Sequence, residues 1–160
     1  MGQSSAIRVL EQSPERLLLY EPPYWTFGIA FVVAGFLIAS LLFLFFWKLQ
    51  VRMPARFLGC VLALPFLFFG LKALTSQTFV EMSARDRTLK IQHMRFFQST
   101  SPRVIPLDEI IRAVELHARR SYAVGLLLRS GQTVAISSYG DQPGKPLMME
   151  AINEFLSRTR

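Results

Sequence analysis

The chain has a single cysteine, Cys60, so an intrachain disulfide is excluded. A lone thiol inside an apolar run reads as a small packing residue and suits a reducing compartment. Catalytic signatures are equally scarce. There is no G-x-S-x-G, no P-loop and no dinucleotide fingerprint. His93 and His117 have no Cys, Asp or Glu at metal-ligand spacing, and a zinc site takes three or four ligands. Asp108 and Glu109 are adjacent in a polar turn, which suits a turn or cap device better than an acid/base pair. The sequence therefore predicts no enzyme, no metal and no cofactor.

Charge is missing where it matters most. From Tyr24 to Trp47 there are 24 residues without one charged side chain. As a helix they extend about 36 Å, enough for a hydrocarbon core of about 30 Å. The run is too long for a signal-peptide core, and "ERLLLYEPP" ahead of it is net negative, so it reads as a retained anchor. Tyr24, Trp25 and Trp47 stand where interfacial aromatics belong. A second run, "FLGCVLALPFLFFGL" at residues 57–71, reaches about 20 residues if the flanking Arg56 and Lys72 snorkel. Its shortness leaves a re-entrant segment open. Pro65 can kink a membrane helix without ending it. Ala30 with Ala34, and Gly59 with Ala63, offer small-residue pairs for close packing.

Domain organisation follows from these contrasts. Residues 1–23 read as a polar tail and a short extended segment, 24–47 and 57–76 as transmembrane helices, and 48–56, "KLQVRMPAR", as a basic hairpin loop. Residues 77–160 read as a β-domain with a C-terminal helix at 147–158. In "TFVEMSARDRTLKIQHM" two strands flank a turn near Arg85-Asp86-Arg87, with Leu89 and Ile91 on one face and Thr88, Lys90 and Gln92 on the other. His93 shares the parity of Leu89. Ile105 and Leu107 share a face. Alternation then puts Val114, Leu116 and Ala118 inward with Glu115 and His117 outward, followed by inward Val124, Leu126 and Leu128. A Ser130-Gly131 turn leads to inward Val134 and Ile136. Leu147, Met148, Ala151, Ile152, Phe155 and Leu156 recur at helical spacing.

The segments "FVEMSARDRTLKIQ", "RVIPLDEIIRAVEL", "YAVGLLLRSGQTVAISSYG" and "AINEFL" resemble the pleckstrin-homology-like (PH-like) superfold that bacteria tether behind paired transmembrane helices. The two-span layout is also similar to the photosystem I assembly factor family of cyanobacteria and chloroplasts. The resemblance implies an α+β membrane protein: a two-helix hairpin, then a PH-like antiparallel sandwich or barrel capped by a helix. It implies a non-catalytic scaffold, assembly or stability factor for a membrane-protein partner, in the bacterial inner membrane or the thylakoid.

The basic excess, net +7, points to partners. Nucleic acid is disfavoured, because the exposed faces lack interleaved aromatics and no recognition helix is evident. Anionic headgroups or an acidic partner at the bilayer fit better, with Lys48, Arg52, Arg56, Lys72, Arg85, Arg87, Lys90, Arg119 and Arg120 as candidate contacts. Solvated arginines that only fix topology are the plain alternative. With two spans both termini share a side; by cation count, and by the resemblance, that side is cytoplasmic, although the hairpin is the denser basic segment. The sequence carries no signal of oligomeric state.

Overall fold

A computed structural model describes residues 6–49, 53–96, 98–140 and 142–159, without the side chains of 53–60 and 95. Two compact units result: one from residues 1–22 together with 77–160, the other Pro23–Ser76.

The helical unit begins after Pro22-Pro23, where the pyrrolidine rings bar an earlier helical start. Helix α1 spans Trp25–Lys48 and α2 spans Met53–Thr75. Helix α2 is therefore longer than the uncharged run suggested, and the connection shrinks to residues 49–52. Pro54 falls in the first turn of α2, where an N–H has no intrahelical acceptor to lose. Arg52 lies outside the described residues, as do the side chains of Arg56 and Cys60. Glycines set how the two helices meet. Gly28 and Gly35 are the buried residues of α1. A Cβ on Gly70 of α2 would stand 2.9 Å from the Gly28 carbonyl oxygen, and one on Gly35 would stand 3.1 Å from Leu67. Rising α1 numbers meet falling α2 numbers, so the pair is antiparallel. The pairing expected from Ala30 and Ala34 is not the one used: Ala30 is exposed and Ala34 half-buried. The heptad step from Gly28 to Gly35 keeps both glycines on the face toward α2.

The β-unit holds two antiparallel sheets and a helix. Strands β1 (Arg8–Gln12), β2 (Arg16–Glu21), β3 (Gln77–Ser83), β4 (Thr88–Arg95) and β5 (Gln98–Ser99) pair in that order, and β6 (Arg103–Pro106) pairs with β4. After a 3-10 turn at Leu107–Glu109, β7 (Ile110–Ala118), β8 (Ser121–Leu128) and β9 (Thr133–Ala135) form the second sheet, and α3 (Lys145–Thr159) ends the chain. Leu17, Leu19, Val80, Met82, Leu89 and Ile91 point from the first sheet into one core with Val124, Leu126, Ile136, Ile152 and Phe155. Strict period-two alternation on β2, β3 and β4 makes this possible.

Three expectations are corrected. The polar tail contains a strand: β1 pairs with β2, the extended segment that the sequence suggested, and β2 pairs with β3 along its whole length, from Arg16 opposite Ser83 to Glu21 opposite Thr78. The β-unit is thus discontinuous, with the helical unit inserted between neighbouring strands. In β7 the register shifts between Ile110 and Arg112. One extra residue flips every later side chain to the other face. Ala113 therefore joins the core, while Val114 and Leu116 stand half-buried on the opposite face and Ala118 is exposed. Leu116 covers Gly125, where a Cβ would collide with its Cδ1. On α3, Leu147 is exposed at 62%, because the buried stripe runs through Lys145, Met148, Ala151, Ile152, Phe155 and Leu156 and Leu147 lies to one side of it.

Candidate functional site

Within the β-unit, the five cations singled out in the sequence, Arg85, Arg87, Lys90, Arg119 and Arg120, do not gather into one patch; Arg52 and the side chain of Arg56 lie outside the described residues. Lys48 is exposed in the last turn of α1 and Lys72 in the last turn of α2, so the antiparallel helices carry them to opposite ends. Arg85 and Arg87 occupy the β3–β4 turn. That turn is tied to the β1–β2 turn by Ala84 N–H donating to Glu15 O at 2.8 Å, and to the 3-10 turn by Leu107 N–H donating to Arg87 O at 2.9 Å. Arg87 pairs with Asp108 at 2.6 Å. Lys90 is half-buried on the outer face of the first sheet, opposite Glu81, whose carboxylate holds Arg16 at 2.8 Å. Arg119 and Arg120 cap the β7–β8 turn at the other end of the unit, both exposed.

That second end carries a polar cluster that sequence reading missed. Lys145, fully buried, donates from Nζ to three backbone carbonyls: Tyr122 O at 2.5 Å, Ser138 O at 2.9 Å and Gly140 O at 2.6 Å. Its ammonium also stands 4.7 Å from the Tyr122 ring centroid. Ser138 N–H in turn donates to both Glu21 carboxylate oxygens at 3.1 Å. Gln142 Nε2 donates to Pro22 O at 3.4 Å. The end of β2, the start of β8, the loop after β9 and the first turn of α3 are thereby laced together. Burial pushes the Glu21 carboxyl above its usual range; the Ser138 N–H and the Lys145 charge oppose this without cancelling it. Tyr20 next door is likewise raised by burial, with Arg8 opposing.

The signal for Lys145 was present in the sequence. A cation at the start of a helix is unfavourable against the helix dipole, so a lysine there between Gly144 and Pro146 calls for another partner. Gly144 has φ +95° and leaves room for Ile7, whose N–H donates to Pro143 O at 3.0 Å.

The histidines take local partners. His93 Nδ1 is 3.1 Å from Thr78 Oγ1 on the neighbouring strand, and exposed His117 Nε2 is 3.2 Å from Glu115. Among the described residues, no group of three or more His, Cys, Asp or Glu converges. Asp108 serves Arg87. No protein-family model and no curated protein matches the chain.

Proposed function

We propose that this is an integral membrane protein whose helices α1 and α2 both cross the bilayer. In this reading its β-unit is PH-like and works at the cytoplasmic face of a bacterial inner membrane or thylakoid. Its role is that of a non-catalytic scaffold, an assembly or stability factor that docks a membrane-protein partner.

One observation carries this reading. Helix α1 is apolar in every direction, and Phe27, Phe36, Leu41 and Leu44 stay more than half exposed beside α2. It is the one described helix long and apolar enough by itself to span a membrane. Such a surface is stable only under lipid or another apolar protein surface. Helix α2 supports the pairing with exposed Leu62, Leu64, Phe68 and Phe69. The Arg119–Arg120 turn favours a second reading, in which the β-unit senses lipid headgroups; it shares an end of the unit with Glu21, where the chain departs for α1.

Carbonate washing of native membranes tests the anchor: the chain stays in the pellet, and release into the supernatant overturns the assignment. A photo-crosslinker at Val33, exposed on α1, tests the scaffold role. A reproducible adduct with one other membrane protein is expected; adducts with lipid alone leave the headgroup reading in its place.

A further inference from the structure

The β-unit has an open cleft of about 340 Å³ at the end where the β1–β2 and β3–β4 turns meet. Five separated stretches of chain supply its walls: Pro14 from the β1–β2 turn, Arg87 from the β3–β4 turn, Asp108 from the 3-10 turn, Arg129 after β8, and Arg158 from the last turn of α3. Leu107 and Leu156, both core residues, form an apolar floor. Three guanidinium groups against one carboxylate make the lining net positive, and only Arg87 of the three belongs to the set that the sequence suggested.

The arginines differ in what already occupies them. Arg87 is held by Asp108, and Arg158 by Glu154 one turn back on α3. The Arg129 guanidinium meets no hydrogen-bond or ion-pair partner among the described residues, while its backbone N–H is fixed to Glu109 O at 2.7 Å. Arg87 has φ +50°, in the left-handed region that disfavours a side chain with a Cβ. Such a conformation persists where the surroundings over-determine a position, and Arg87 O accepts from Leu107 N–H at 2.9 Å beside the Asp108 contact.

We propose that this cleft binds a doubly charged phosphoryl group carried on a small organic body. Arg129 is the primary contact, Arg87 and Arg158 close from either side, and Asp108 is a built-in stand-in for the anion, displaced when it arrives. Guanidinium forks match phosphoryl oxygens two at a time. The volume lies at the small end of the ligand-pocket range of roughly 300–1,000 Å³, and the leucine floor suits the organic portion. The phosphoryl group can come from a soluble phosphorylated compound or from a lipid headgroup. The inference does not rest on the scaffold reading.

The test uses the full chain. Glycerol 3-phosphate is titrated into the protein in detergent micelles, and in parallel the protein is placed in phosphatidylcholine nanodiscs with and without phosphatidic acid. The backbone amide shift of Arg129 is followed in both. Saturable shifts in micelles assign a soluble ligand; shifts confined to phosphatidic acid assign a headgroup; no response in either overturns the proposal. Arg129→Ala weakens binding about tenfold or more, and Asp108→Asn strengthens it by freeing Arg87. Far-UV melting verifies that each variant is folded. Equal binding by wild type and Arg129→Ala, or weaker binding by a folded Asp108→Asn, also overturns it.

Discussion

Glu21 and Thr78 face each other in the β2–β3 ladder although residues 22–77 separate them in the chain. The β-unit therefore closes across the point where the helices are inserted. Opposed residues in an antiparallel pair have Cα atoms only about 4.5–5.5 Å apart, a gap that a two-residue turn spans.

Replacing residues 22–77 by Asn-Gly should accordingly leave a β-unit that folds in water without detergent. Dispersed amide resonances and one cooperative melt are the expected results. An unfolded or precipitating product would show that the sheet depends on the helices.

Lys145→Met should destabilise that unit by about 3–5 kcal/mol, the usual cost of removing one member of a buried charged network. Three carbonyls lose their donor and Glu21 loses the nearby positive charge. Urea titration of the excised unit measures this. A change under 1 kcal/mol would show that water replaces the ammonium.

Glu21 sets a pH dependence. Its folded carboxyl holds a proton to higher pH than in the unfolded chain. Its stabilising contribution is then complete below the ordinary glutamate value of about 4.3 and is lost as pH rises through the raised value. Glu21→Gln cannot ionise, so the stability of the variant relative to wild type should increase from about pH 4 toward neutrality. A flat difference across that window would contradict the assignment.

Gly70 fixes the separation of the helices. Its added Cβ would stand 2.7 Å from Val32 and 2.9 Å from the Gly28 carbonyl oxygen. Gly70→Leu should weaken the helix pair by about 1–3 kcal/mol through overpacking, seen as a lower midpoint of the helical signal in micelles. The same change at Leu71, which is exposed, to another apolar residue should have no such effect.

How far the sequence could be read depended on whether a pattern was local. The α1 span, the Arg85–Arg87 turn and the buried stripe of α3 were legible because charge depletion and helical or alternating period act over a few neighbouring residues. The Val114–Leu116 face was misassigned because a single-residue bulge at Ile110–Arg112 changes parity without any change in composition. The arginines of the cleft were unreadable as a set: Arg87, Arg129 and Arg158 are far apart in sequence, and only β8 and α3 ending at the same place brings them together.

By itself, then, the order of residues determined which segments avoid water and which alternate, since those preferences belong to the side chains one by one. Folding in three dimensions decided that Leu17 and Leu19 join a sheet completed only after both helices, that Lys145 is satisfied by Tyr122, Ser138 and Gly140, and which cations share an end. Backbone hydrogen bonds and buried charges need partners, and those partners come from distant parts of the chain.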